Sequence, residues 1–222
     1  MAITKRSTGI SQQCVLQILN VHKLFSFNNL TMTKAGDACL RRLSLIYFLY
    51  LLLFSGLEFT LLFLTRSRFG YTSQDQGRMF SFLGIAMILV QAGLIRRFQI
   101  DQMYLGTVSI FSLSVASVIL GGAWNKWLFY TGLLLFAFAS AAFVPSVHAT
   151  ISLLAKPHRQ GHVLGLVRSL NALARSVGPV SVSFTFWSIG SLQCFVLCGC
   201  ILCVLCFFHF RTRIPLRSIS RL

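Results

Sequence analysis

An all-α membrane protein with six transmembrane helices is the fold class predicted by this 222-residue sequence. Three observations point to it. The chain is 55% hydrophobic and only 11% charged, with a mean hydropathy of +0.75. A soluble domain carries roughly 25% charged residues, so a water-facing enzyme is excluded by composition. Six apolar runs approach the ~20 residues that cross a 30 Å hydrocarbon core. Finally, 20 Lys and Arg against 4 Asp and Glu give a net charge of +16, and the basic residues lie between and beside the apolar runs. Nucleic-acid binding would need them on one solvated face, so no nucleic-acid partner is expected.

The runs follow in order. Leu43–Thr65 holds one charge, Glu58. Met79–Ile95 is shorter and carries the amide of Gln91. Met103–Ala123 is followed by Trp127–Leu154, which contains Pro145 and His148. His162–Ile189 is long enough to span but holds Arg168 and Arg175, and Leu192–Phe210 closes the set. Residues 1–42 read as a basic cytosolic linker, either solvated or resting on the membrane through Phe25, Phe27 and Leu30. Residues 43–210 read as the bundle and residues 211–222 as a basic cytosolic tail.

Threading the chain through six spans puts fourteen basic residues on one side and four on the other, which places both termini in the cytoplasm. The resident membrane is then the plasma membrane or an internal one. Asn29-Leu30-Thr31 is a glycosylation triplet that this topology keeps bare. Five of seven cysteines lie in the last span with no accompanying His or polar loop, so neither a disulfide framework nor a metal site is expected. With three spans in each half, spans 1–3 and 4–6 have opposite orientation, the arithmetic of a 3+3 inverted repeat.

Charges inside a bilayer face a partner or water. Glu58 lies about 22 Å and Arg175 about 20 Å from the cytosolic end of their spans, both of which run outward. Equal depth predicts that the two groups meet or share a cavity. They form either a structural ion pair or a substrate- and proton-binding site. Arg168, Asn171 and Arg175 fall at i, i+3 and i+7, on one helix face. A basic, amide-bearing stripe favours an anionic substrate, although Arg168 is also shallow enough to snorkel. Gly161, Gly165 and Gly178 fall near that face, where another backbone or a substrate can come close. Gly178-Pro179 is also expected to interrupt and kink span 5, and Pro145 to do the same in span 4. Gly93, Arg96 and Arg97 end span 2 as a turn with topology anchors or as a gating loop. His148 is either a satisfied polar core residue or part of a proton relay. No nucleophile–base pair, carboxylate pair or metal-ligand spacing appears, so no covalent chemistry and no cofactor is expected.

Several segments resemble the major facilitator superfamily, and its tetracycline-transporter-like carriers in particular. Arg41–Tyr50 with Phe54–Phe59 resembles the seventh helix of such carriers. Gln76–Phe80 and Gln91–Arg97 resemble the eighth helix and the cytosolic loop after it. Gln160–Gly165 through Arg168–Pro179 resembles the eleventh. The resemblance covers about residues 40–210. It implies one half of a twelve-helix fold that moves small organic molecules, organic anions in particular, by alternating access, either facilitated or coupled to protons. Glu58, Arg168, Asn171 and Arg175 would then contact substrate or proton, and Gly93, Arg96 and Arg97 would shape the cytosolic gate. The loop signature of the first half is absent. The chain is therefore expected to be a truncated isoform or an incomplete gene model, or to pair with another six-helix half or a second copy of itself. The rival expectation is a membrane interaction protein that associates with full-length carriers and does not itself transport.

Overall fold

The computed structural model describes residues 34–95 and 101–219, and these residues are helical almost throughout. In chain order the long helices are α1 (Lys34–Phe69), α2 (Ser73–Leu89), α3 (Gln102–Gly122), α4 (Lys126–Leu154), α5 (Gln160–Ile189) and α6 (Ser191–Ile219). A π-helical turn, Val90–Ile95, continues α2, and a 3-10 turn, Pro157–Arg159, precedes α5. Helices α1 and α6 overrun the apolar runs that predict them, because hydropathy marks the edge of the bilayer and not the last hydrogen-bonded turn. Residues 34–42, expected to belong to a linker, are thus the first turns of α1. The glycosylation triplet at Asn29 lies outside the described residues, as do Arg96 and Arg97.

Among the described residues, four helical segments are long and apolar enough to cross a membrane: Gly36–Phe69, Gln102–Gly122, Lys126–Leu154 and Ser191–Thr212. Helices α2 and α5 fall outside that set. α2 is 17 residues long, and α5 carries Arg168 and Arg175.

The connections are tight and locally encoded. Gly70 (φ 63°) ends α1 in a left-handed conformation that disfavours a side chain. Thr72 then opens α2 with a capping box in which its hydroxyl accepts from the Asp75 amide and the Asp75 carboxylate accepts from the Thr72 amide. The Thr72 hydroxyl also donates to the Asp75 carboxylate at 2.7 Å, and that bond, with the one from the Thr72 amide, holds the Asp75 carboxyl below its ordinary value of 3.8. A depressed carboxyl stabilises the fold above its unfolded value, and that contribution disappears as pH falls through the folded one. Thr72→Ala is therefore expected to fray the start of α2 at neutral pH, read by faster amide exchange at residues 73–76, and acid below about pH 4 to do the same to the parent chain. Asp101 and Asn125 cap α3 and α4 more simply, each side chain accepting from the amide two residues on, Met103 and Trp127.

Close backbone approach organises the packing. Helix α3 lies between α4 and α6, and its contacts with both run antiparallel. A Cβ on Gly132 would meet Leu120 at 3.1 Å, and one on Gly121 would meet Phe195 at 2.6 Å. Ser114 Oγ donates to Gly199 O at 2.8 Å, and Thr107 Oγ1 lies 2.9 Å from His209 Nδ1. Such small-residue seams drive helix association in lipid, where apolar burial supplies no net force. Helix α1 runs antiparallel to α4, joined by the Tyr50–Phe143 and Phe54–Phe136 ring pairs and by Tyr50 Oη donating to Ala139 O at 3.0 Å. It runs parallel to α5. Residues 55 and 56 meet the 174–182 stretch, where Ser55 Oγ donates to Ala174 O at 3.4 Å.

Neither proline breaks its helix, contrary to the interruption expected at Gly178-Pro179: α4 and α5 continue through Pro145 and Pro179. Each proline removes the N–H that would bond the carbonyl four residues earlier. For Pro145 that carbonyl is Ala141 O, and the Gln91 amide donates to it at 3.4 Å. The polar residue of the second apolar run thus serves the helix opposite.

Arg68 closes the end of the bundle near Gly190. Its Nη1 donates to Gly121 O and Ala123 O, the free carbonyls at the end of α3, and its Nη2 reaches Ser191 Oγ at 3.5 Å. Arg68→Met is expected to lower stability by about 1–2 kcal/mol, read as a lower melting temperature in detergent; Lys should not rescue it, since one ammonium cannot span the fork.

Large apolar side chains cover the outside. Val196, Ile201, Val204, Phe207 and Phe208 are exposed along α6, as are Phe111 and Val118 on α3. Trp124 and Trp127 stand 90% and 81% exposed at the α3–α4 turn, where interfacial tryptophans belong. This surface fits lipid, not water.

Candidate functional site

The site is built on the parallel crossing of α1 and α5, with α4 beside it. The crossing is close because Gly178 is buried against α1: a Cβ there would lie 2.2 Å from Ser55 Oγ and 2.4 Å from Leu52 O. A Cβ on Gly56 would likewise meet Val182 Cγ2 at 2.3 Å. Gly161 and Gly165, in contrast, are exposed with open space at their Cβ positions. Gly178 therefore acts as a contact residue between helices.

One turn from this seam, Arg175 Nη2 stands 3.4 Å from Glu58 Oε2. This is the approach that equal depth predicts. The Glu58 side chain is 28% exposed and that of Arg175 56%. A pair so open contributes about 1 kcal/mol or less to stability, yet it places two opposite charges on an accessible face.

The rest of the stripe is less uniform. Arg168 is exposed and has no carboxylate partner among the described residues. Asn171 is half-buried, and its Oδ1 is turned into the packing without a hydrogen-bond partner among the described residues. Gly93 lies in the π-helical turn, exposed and away from this crossing, with open space at its Cβ position.

Sequence reasoning missed Tyr47. Its hydroxyl lies 3.1 Å from His148 Nε2, bridging α1 and α4, and the rings are 5.7 Å apart. Arg168 is within electrostatic reach of His148, and Arg175 of Tyr47. The signal was present: Tyr47 precedes Glu58 by eleven residues, just over three whole turns, so both occupy one helix face. Glu58, Tyr47, His148, Arg168 and Arg175 thus form one polar patch drawn from three helices. It offers two guanidinium groups, one carboxylate, an imidazole and a phenol. Such a patch can bind oxyanions and exchange protons. Among the described residues no group of three or more His, Cys, Asp or Glu is placed to hold a metal ion.

Comparison with known proteins bears on what such a patch does. The family profile of the Major Facilitator Superfamily matches residues 15–179. Major facilitator superfamily domain-containing protein 10 from mouse is 40% identical over 161 residues, covering 72% of this chain and 35% of that protein. The human protein of the same name is 41% identical over 165 residues, 72% of this chain and 36% of its own length. The chain therefore spans about a third of the length of these relatives. Among solved structures, the crystal structure of the human organic anion transporter MFSD10 (TETRAN) aligns with a TM-score of 0.75 and 36% identity, over 78% of this chain and 41% of that one.

Proposed function

The chain belongs to the major facilitator superfamily, and from that membership we propose that its six long helices all cross the bilayer and form one half of a carrier for small organic anions. In this reading α2 and α5 span as well, α5 because its arginines face a polar path and not lipid. Both termini are cytoplasmic, and the turns of α1 before residue 43 and of α6 after residue 210 carry the bundle (43–210) into the cytosolic linker (1–42) and tail (211–222). The alternating directions of neighbouring helices fit a 3+3 inverted repeat.

The observation that carries the proposal is the Glu58–Arg175 pair on the open face of the α1–α5 crossing. Glu58, Arg168, Asn171 and Arg175 line the solute path, and Glu58 loads and releases the coupling proton as the anion comes and goes. Gly93, Arg96 and Arg97 form the cytosolic gate, and Gly178-Pro179 sets the crossing. A second six-helix half, from another chain or a second copy, supplies the other wall, and access alternates as the halves rock.

The test is uptake of radiolabelled benzoate by proteoliposomes holding the purified chain, alone and with a co-expressed six-helix partner. Uptake above protein-free vesicles, raised by an inward proton gradient, supports the proposal. Absence of flux in both preparations favours a membrane interaction protein that does not transport.

A further inference from the structure

The Tyr47–His148 contact fixes where a proton sits. Tyr47 is fully buried, and its hydroxyl has one partner, His148 Nε2. A buried O–H left without an acceptor is costly, so the phenol donates and Nε2 accepts. A neutral imidazole that accepts at Nε2 carries its own hydrogen on Nδ1. That Nδ1–H makes no hydrogen bond among the described residues, and His148 is half-exposed. Arg168, exposed on α5, is within electrostatic reach of His148 and has no carboxylate partner among the described residues. Arg175, by contrast, is already engaged by Glu58. Two arginines and one glutamate leave the patch one positive charge in excess, and that excess resides at Arg168.

We infer that Arg168 and the Nδ1–H of His148 together receive a single carboxylate of the solute, with Tyr47 as the positioning residue that holds the imidazole in the required tautomer. This rests on the proposed reading of the open face as a solute path. A second carboxylate would have to displace Glu58 from Arg175, so the site selects monoanions over dianions. A lipid phosphate presents the same oxyanion chemistry as a free carboxylate, and the experiment separates the two.

The full chain is reconstituted in phosphatidylcholine nanodiscs, and binding of radiolabelled benzoate and phthalate is measured. Arg168→Gln is expected to weaken benzoate binding about tenfold or more, as loss of a charged hydrogen bond does. His148→Leu should weaken it several-fold, whereas Arg78→Gln, at the far start of α2, should not change it. Glu58→Gln is expected to raise the phthalate-to-benzoate affinity ratio about tenfold by freeing Arg175. Nitrogen-15 spectra of labelled histidine should show the Nδ1–H tautomer at His148, replaced by a mixture in Tyr47→Phe, which a purely space-filling tyrosine would not produce. Benzoate binding unchanged by Arg168→Gln overturns the inference and leaves the transport proposal standing. Loss of benzoate binding on adding phosphatidylglycerol assigns Arg168 to a headgroup and also overturns it. A parent chain that binds neither anion, alone or with the co-expressed six-helix partner, defeats the transport proposal together with the inference.

Discussion

Replacing Gly178 by valine should abolish accumulation of the folded protein. The position faces backbone: Leu52 O would lie 2.4 Å from the first added carbon, and a carbonyl within a helix cannot swing away as a side-chain end does. Even alanine forces α1 and α5 apart, and overpacking of this kind costs about 1–3 kcal/mol per site where the neighbours can adjust. Here they cannot, and separating the helices also breaks the Ser55–Ala174 bond and draws Glu58 from Arg175. Gly165→Val, in the same helix but over open space, is the matched control. The measurement is the monodisperse fraction on size exclusion in detergent, low for Gly178→Val and near the parent value for Gly165→Val.

Arg175→Gln should have the opposite signature, with little loss of stability and a large loss of transport. With its side chain 56% exposed, the arginine contributes about 1 kcal/mol or less to the fold. Its removal leaves the Glu58 carboxylate uncompensated on the path proposed for anions, so benzoate uptake should fall at least about tenfold while the melting temperature moves by a few degrees. A charge swap, Glu58→Arg with Arg175→Glu, separates the two roles open to the pair. A structural pair works in either order, and uptake returns. A pair that handles substrate and proton depends on which helix holds which charge, and uptake stays low although the protein folds.

How much of this was legible beforehand varies by residue, for physical reasons. Four of the apolar runs coincide with helices long and apolar enough to span, because hydropathy measures what the bilayer requires. The meeting of Glu58 and Arg175 followed from depth alone, since rise per residue is constant along a helix. Helix rotation is less accessible. Tyr47 looked like one aromatic among many until its register with Glu58 placed it against His148. The Arg68 cap joins residues 53 and more positions apart and leaves no local trace. The Thr72–Asp75 capping box was readable, and it sets the start of α2 six residues before the apolar run begins. Gly178 was legible as a place where another backbone comes close, since it falls near the face of Arg168 and Arg175, but nothing local distinguished it from Gly161 and Gly165, which meet open space.

Everything proposed for transport requires α5 to cross the bilayer despite its two arginines, so its topology is the most direct test. A glycosylation acceptor in a flexible insert is placed at Gly190, between α5 and α6, and separately in the turn at residues 156–161, between α4 and α5. The expected result is a glycan on the Gly190 insert alone, because the two inserts then lie on opposite sides of the membrane. The same glycosylation state at both positions would contradict the account, since α5 would begin and end on one side and could not line a path through the membrane.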